Sequence, residues 1–466
     1  MAQDKEFLGK APVGKLLAKL AIPAVVAQIV NLLYNMVDRI YIGRYDATGL
    51  ALTGVGVCLP VIMMVSAFAA LVGMGGAPQA SILMGKRQYE KAEKTMGNCF
   101  SLLVIISLVL TVALYCFGRP LLLTFGASSS TIDYAMEYMN IYVLGTLFVQ
   151  IALGMNAFIS AQGFTTISML SVLIGAILNI VLDPIFIFSF HMGVRGAALA
   201  TILSQAVSAA WVLKFLWGKK TYLRIQPKNL PIHWRVIAPC LALGVSPFIM
   251  QITESAINVC FNTSLLRYGG DIAVGSMTVL ATVMQFCMLP LQGLTQGAQP
   301  ITSYNYGARQ PERVKKSFQL LLISSLTYTV LLWASVMLFP QAFVHLFNQG
   351  NQELIRYASW AARIYFAVMF LMGAQIACQQ TLIAIGNAKT SLFLAVLRKI
   401  ILLIPLIYIL PEIFQQKDMA VFMAEPIADF LAVTITVSLF TWQFRKALRQ
   451  IREPGSVSPR ETGSGQ

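Results

Sequence analysis

The chain has few charges for its size. Of its 466 residues only 11% are Asp, Glu, Lys or Arg, while 57% are hydrophobic, and the mean hydropathy is +0.71. A soluble chain of this length carries roughly 25% charged residues, so a water-soluble globular protein is excluded. Histidine is scarcer still. His191, His233 and His345 stand singly, and no pair has metal-ligand spacing. No Ser-His-Asp set and no Gly-rich phosphate loop occurs, so enzyme chemistry and a resident cofactor are not expected. The seven cysteines form no CxxC pair and all fall in or beside apolar stretches, which makes them packing thiols. Residues 1–15 are polar and mixed in charge, without the pattern of a secretory signal.

What the chain does have is apolar runs. Twelve lie near 16–40, 49–78, 95–118, 136–160, 166–189, 195–217, 236–263, 272–300, 317–340, 357–384, 390–411 and 419–444. Each supplies the roughly 20 residues that a membrane-spanning helix needs. The expected fold is an all-α integral membrane protein of twelve transmembrane helices. The tail from 453 to 466, "EPGSVSPRETGSGQ", reads as disordered.

A net charge of +15 could suggest nucleic acid, but the positions of the basic residues argue otherwise. With both termini placed in the cytoplasm, "GKRQYEKAEK", "GKKTYLRIQPKNLPIHWR", "ARQPERVKK" and "FRKALRQIR" all fall on the inner side. That is the positive-inside rule. The charge reports topology in a bilayer, and no nucleic-acid partner is expected.

The chain also repeats itself. "GAPQASILMGKRQYEKAEK" (76–94) matches "AQPITSYNYGARQPERVKK" (298–316) at an offset of 222, pairing Pro78 with Pro300 and Gly85 with Gly307. One residue further, Tyr142 pairs with Tyr365 and Gly163 with Gly386. Six spans separate each pair, so both halves enter the membrane in the same direction. The expected domains are two parallel six-helix bundles, 1–217 and 236–452, joined by a basic cytoplasmic linker at 218–235. Transporters built from such repeats bind substrate between the halves and expose it to each side in turn.

Inside the first span, "AQIVNLLYNMVDRI" carries Gln28, Asn31, Asn35 and Asp38 at spacings of 3, 4 and 3. On a helix these form one stripe. By the repeat, Gln28, Asn31 and Asn35 correspond to Gln251, Glu254 and Asn258, so the stripe occurs once per half. A doubled stripe is expected of two walls of one cavity, although such amides also join helices by hydrogen bonds. Asn156 in the fourth span is placed in the same cavity set. Pro23 and Pro247 interrupt the backbone hydrogen bonding of the first and seventh spans and allow bending.

Two acids lie deep. The direction of the spans puts Asp38 near the outer end of the first, and Asn179 and Asp183 one turn apart in the outer half of the fifth. Thr201 enters the sixth span at similar depth. An ionised carboxylate near the membrane centre costs about 2.5–3.5 kcal/mol on insertion scales. No Lys or Arg lies deep in the first six spans, since Lys214 sits at the opposite face. Asp38 and Asp183 must therefore share a proton, bind a cation or face water. In the second half their places are taken by Phe261 and Leu406, so this pair is not duplicated. Arg398 and Lys399 at mid-depth in the eleventh span are expected to form an internal ion pair with Glu425 and Asp429 of the twelfth.

Taken together, "LYNMVDRIYIG", "SAQG", "NIVLDPIFI", the Pro247–Glu254 segment and "AIGNAKTS" make the chain resemble the multidrug and toxic compound extrusion (MATE) family over nearly its full length. "RKIILLIPLIYILP" and "AEPIADF" look like its MepA-like branch of bacterial multidrug exporters. The resemblance implies a multi-pass plasma-membrane antiporter that exchanges amphipathic, often cationic, drugs and dyes for H⁺ or Na⁺ and functions as a monomer. It also implies that Asp38, Asn179, Asp183 and Thr201 form the coupling-cation site. Other branches carry an Asp in the tenth span where this chain has Ala374, which shifts weight to Asp38 and Asp183. Glu254 matches a seventh-span acid of those branches and is assigned to substrate. The rival readings are a flippase for lipid-linked oligosaccharides, which would usually show a more cationic cavity, and a non-coupled channel.

Overall fold

A computed structural model describes residues 6–46, 49–347 and 352–452, and these contain helices and no strand. The segment 453–466, expected to be disordered, lies outside the described residues. In chain order the helices are α1 (Phe7–Lys10), α2 (Val13–Tyr45), α3 (Leu50–Gly85), α4 (Tyr89–Thr124), α5 (Ile132–Leu144) and α6 (Thr146–Gln150). A π-helical turn, Ile151–Met155, leads into α7 (Asn156–Ala161). There follow α8 (Thr165–Pro184) with a π-helical turn at Ile185–Ser189, α9 (Val194–Trp217), α10 (Trp234–Gly307), α11 (Pro311–Leu338) and α12 (Pro340–Phe347). The chain closes with α13 (Gln352–Tyr365), α14 (Met372–Ala384), α15 (Ala388–Val396), a π-helical turn at Leu397–Leu403, α16 (Ile404–Ile413) and α17 (Lys417–Arg452).

Among the described residues, nine helical segments are long and apolar enough to cross a bilayer. Two bent pairs qualify jointly: Ile132–Leu144 with Thr146–Ala161, bent by 61°, and Gln352–Tyr365 with Met369–Ala384, bent by 50°. Helix is the expected outcome for such runs, because in lipid each backbone N–H and C=O must find its partner within the segment. At 74 residues, α10 would extend to about 110 Å if straight, several times the roughly 30 Å hydrocarbon core. It folds back on itself at Gly270, whose φ of 66° and ψ of −164° are non-helical. By the repeat, Gly270 stands where the first half has its connection between α2 and α3. Two apolar stretches expected as separate helices are thus joined through one glycine instead of a loop.

The repeat extends to single backbone angles. Gly163 and Gly386 end α7 and α14 with φ of 86° and 83°, in the left-handed region where glycine avoids the Cβ clash. Arg87 and Arg309, also repeat mates, hold φ of 60° and 55°.

The two halves are joined at one end and have separate cores at the other. One buried cluster draws on both halves, from Leu8, Met84, Phe158 and Leu216 to Ile301, Tyr304 and Leu321. It lies at the end where the basic loops gather. Toward the opposite end a cluster around Ile42, Val55, Leu122 and Val194 is made of first-half residues only. Another, around Phe261, Leu280, Ile355 and Phe422, is made of second-half residues only.

At the joined end the crossing is between backbones. A Cβ on Gly85 would collide with the carbonyl oxygen of Tyr304, and one on Gly307 with that of Ile82. Tyr304 and Ile82 are themselves repeat mates, so the contact is reciprocal. The clasp continues through α1. Arg313 donates to the carbonyl oxygens of Leu8 and Ala11 at 3.0 and 2.7 Å, and Asn305 donates to Leu8 at 3.0 Å. Glu6 meets Arg87 at 2.6 Å. The linker also has fixed partners. Asn98 of α4 donates to the Asn229 carbonyl at 3.0 Å and accepts from the His233 N–H at 2.7 Å. Gln162 accepts from the N–H groups of Tyr222 and Leu223 at 2.8 and 2.9 Å.

Candidate functional site

In the first half α2 packs along α8, and α8 along α9, so three helices deliver their polar groups to one place. Asp38 comes within hydrogen-bonding reach of Asp183. Asn179 Nδ2 lies 3.2 Å from Asp183 Oδ1 and 3.5 Å from Thr201 Oγ1, so one amide bridges the acid and the hydroxyl. Asp183 and Asn179 are fully enclosed, at 0% and 2% exposure. Asp38 Oδ1, Asp183 Oδ2 and Asn179 Oδ1 are buried oxygens without a hydrogen-bond partner. Among the described residues, no Lys or Arg makes an ion pair with either carboxylate. Three unsatisfied oxygens converging from two acids and an amide are a costly arrangement, because a buried acceptor left unpaired forfeits its hydration. A proton or a hard cation removes that cost.

Three tyrosines border this cluster, and sequence reasoning missed them. Tyr34, one turn before Asp38, lies close enough to feel both carboxylates. Tyr138 lies beside Thr201 and near Asp38, and it stacks on Tyr142 with ring centroids 6.0 Å apart. The signal for Tyr34 was available as an i, i+4 spacing. Tyr142 was visible only as a repeat mate of Tyr365. The π-helical turn begins two residues beyond Asp183, after Pro184 has removed a backbone donor. Nothing in the residue pattern marked it.

The second half holds a different chemistry. Arg398 Nε lies 2.7 Å from Asp429 Oδ1, and Arg398 Nη2 lies 3.4 Å from Glu425 Oε1. Lys399 lies near Glu425, as expected, but its direct partner is a further acid: its Nζ lies 2.8 Å from Glu254 Oε1, so Glu254 joins the cluster. The reason is local. Arg398 and Lys399 sit in the π-helical turn Leu397–Leu403, and consecutive residues of a helix point in different directions. Arg398 reaches α17 and Lys399 reaches α10. Glu254 is therefore not the bare counter-charge expected of a substrate ligand. Lys399 is nearly enclosed, with 7% of its side chain exposed, while Glu254 keeps 49%. Tyr365 stands among these charges, packed edge-on against Phe261.

The polar stripes are not brought into mutual contact. Asn31 and Asn35 are exposed, and Asn35 Nδ2 donates to the Asn31 carbonyl at 2.6 Å. Asn258 is exposed and Gln251 half-buried. The cross-half bond runs instead from Gln28 Nε2 to Gln296 Oε1, 3.2 Å, a residue that sequence reasoning did not select. Asn156 donates to the Ser168 carbonyl at 3.3 Å, bonding within the first half, with its Oδ1 buried and unpartnered. Helix continues through Pro23 and Pro247. One turn before Gln251, Phe248 meets Phe68 of α3 at 5.0 Å between ring centroids. A cavity of about 390 Å³ between α2, α10 and α11 is lined by Leu17, Ala21, Val25, Leu294 and other residues without ionisable groups, apart from both charged clusters. Among the described residues, no three His, Cys, Asp or Glu come together as a metal site.

Comparison with known proteins gives matches over most of the chain. The family model described as MatE matches twice, at residues 23–185 and 247–409. Each match begins on a proline, Pro23 and Pro247, and so follows the internal repeat. The chain is 24% identical to the multidrug export protein MepA of Staphylococcus haemolyticus, over 93% of this chain and 95% of that protein. It is 25% identical to MepA of Staphylococcus aureus, over 88% and 89% respectively. Among solved structures it is 35% identical to the MATE multidrug transporter DinF-BH, with a TM-score of 0.88, covering 96% of this chain and all of that one. A MATE crystal structure in the bent conformation superposes with a TM-score of 0.90 at 22% identity, over 97% of this chain and 100% of that one.

Proposed function

We propose, from the premise that this chain belongs to the MatE family, that it is a secondary-active multidrug exporter working by alternating access between its two halves. It is a multi-pass membrane protein and not an enzyme. We take residues 1–217 and 236–452 as the two lobes and 218–235 as their cytoplasmic linker. Counting nine crossing segments, two bent pairs and the extra crossing gained at Gly270 gives twelve spans, with both termini in the cytoplasm. On that assignment the joined, basic end faces the cytoplasm, and the cleft between the separate cores opens outward. Substrates are amphipathic small molecules, and a single copy suffices because both walls come from one chain.

The observation that carries the reading is the convergence of Asp38, Asp183, Asn179 and Thr201 with three unpartnered oxygens and no basic partner. The oxygen-only set suits H⁺ or Na⁺. In the proposed cycle, the cation arrives from outside at Asp38 and Asp183 and neutralises them. That removes the cost of enclosing two carboxylates and favours the conformation that has released its substrate. Gln28, Asn31, Asn35, Asn156, Gln251 and Asn258 serve the substrate path, and bending at Pro23 and Pro247 accompanies the change of access. A channel has no need of such a site.

The test is dye efflux from proteoliposomes under an imposed pH gradient, then under an imposed Na⁺ gradient. Uphill export with one of them is expected. Purely downhill, gradient-independent flux would overturn the exporter reading in favour of a channel.

A further inference from the structure

The helix that carries Asn179 and Asp183 begins unlike its repeat mate. In the second half Asn387 caps α15: its side chain accepts from the Thr390 N–H at 3.3 Å, and the Ala388 N–H reaches the Gly386 carbonyl at 3.1 Å. By the repeat, Asn387 corresponds to Phe164, which offers no side-chain acceptor at the start of α8. Its ring is packed on Phe215 and Tyr222, at 5.2 and 4.9 Å between centroids. The Phe164 carbonyl accepts from the N–H groups of Ile167 and Ser168. Those of Thr165 and Thr166 have no hydrogen-bond partner among the described residues.

That helix start borders a cavity of about 210 Å³, lined by Lys19 and Leu20 of α2 and by residues 163–167. Thr165, which lines this space, is only 3% exposed, and its hydroxyl has no hydrogen-bond partner among the described residues. Lys19 forms no ion pair among the described residues. Its Nζ lies over the ring of Phe7, 5.7 Å from the centroid, and Phe7 rests against Gly163, where a Cβ would collide with that ring. An enclosed hydroxyl and two backbone N–H groups at the positive end of a helix thus stand beside an unpaired ammonium. The complement of such a set is a phosphate, whose oxygens can accept from all of them.

The surroundings name the carrier of that phosphate. Leu20, Phe164 and Ile167 give the cavity an apolar wall, which a free anion cannot use and a lipid can. On the topology proposed above, α2 and α8 leave the basic, cytoplasmic end here, at the level of the inner-leaflet headgroups. The charge of Lys19 favours a headgroup of net negative charge over a zwitterionic one. We propose that this cavity binds the phosphate of an anionic phospholipid of the inner leaflet through Lys19, the Thr165 hydroxyl and the N–H groups of Thr165 and Thr166. The headgroup bridges α2 and α8, the helices that carry Asp38 and Asp183. The inference stands apart from the exporter reading and takes from it only the orientation in the membrane.

The test is native mass spectrometry of the detergent-purified full-length protein, titrated with phosphatidylglycerol or phosphatidylcholine of identical acyl chains. Wild type is expected to bind phosphatidylglycerol about tenfold more tightly, the size of one charge-assisted contact. Lys19→Met should abolish that preference, and Lys19→Arg should keep it. Thr165→Val retains the shape without the hydroxyl and should weaken phosphatidylglycerol about fivefold. Lys15→Met removes a base one turn away that does not line the cavity, and the preference should survive it. Equal wild-type affinity for the two lipids, or equal effects of Lys15→Met and Lys19→Met, would overturn the proposal. Displacement of bound phosphatidylglycerol by an equal concentration of inorganic phosphate would overturn the lipid assignment in favour of a free anion.

Discussion

The two halves of this chain share a plan and differ in how they handle charge. The first half brings two carboxylates together and, among the described residues, forms no ion pair with either; the second pairs three carboxylates with two bases. The clusters also sit at different depths. Asp38 corresponds by the repeat to Phe261, seven residues beyond Glu254, or about 10 Å along the helix. A duplicated scaffold has thus become two unlike sites. On the proposed reading, an acidic site lacking a basic partner takes an external cation. A site whose carboxylates have bases beside them makes no such demand.

The sharpest way to break this contrast is to remove the titratable charge from the first half. Asp38→Asn and Asp183→Asn should each reduce energised efflux to the background of empty liposomes, while purification yield and thermal melting stay near wild type. Asn keeps the shape and loses only the charge. Wild-type transport in both variants would place the coupling site elsewhere.

In the second half the expected penalty is on stability. Arg398→Met leaves Glu425 and Asp429 enclosed without their shared base, a loss of roughly 3–5 kcal/mol for a broken buried pair. Melting of the detergent-solubilised protein should drop accordingly. Arg398→Met combined with Asp429→Asn should recover much of it. Equal melting for wild type and Arg398→Met would show that this half is not held by its charges.

A smaller effect is expected at the tyrosines. Tyr138→Phe removes the hydroxyl beside Thr201 and Asp38 and should cost about 1 kcal/mol, roughly a fivefold rise in the cation concentration needed for half-maximal efflux. Maximal rate should hold. Loss of rate at saturating cation would assign Tyr138 to the conformational change.

The smallest expected effect is none. Asp38 and Asp183 lie within hydrogen-bonding reach and share one site, so one monovalent cation should enter per turnover. Exchanged for one monocationic dye, it moves no net charge, and a membrane potential, worth about 2.3 kcal/mol per charge per 100 mV, should contribute nothing. Vesicles clamped with valinomycin at zero and at negative-inside potential, with the chemical gradient fixed, measure this. Marked acceleration by the potential would favour two cations per cycle.

Residue spacing and depth told much of this in advance. Long apolar runs, basic loops and the repeat are one-dimensional signals, and they carry the all-helical membrane fold. The convergence of Asp38, Asn179, Asp183 and Thr201 was legible because each residue's depth follows from the direction of its span. The partner of Lys399 was not legible. Neighbours in sequence were expected to share partners, and a π-helical turn sends Arg398 and Lys399 to different helices. Gln28 was legible as polar but not as bonded to Gln296, since helix rotation is set by packing. The continuity of α10 through Gly270 was hidden for the same reason as any backbone angle: glycine permits it without announcing it.

The linker's attachments have a mechanical consequence. From Thr221 to His233 the strap is sewn to the first half by Gln162 and Asn98, so it carries almost no slack. What remains is the junction where α10 begins at Trp234. In the proposed cycle the second half would then swing like a door on a hinge at that corner instead of drifting away on a tether. A swing of about 10° there displaces the far end of a roughly 30 Å span by about 5 Å, while the near end stays put. In that cycle leverage, more than distance travelled at the seam, would decide how far the outer mouth opens.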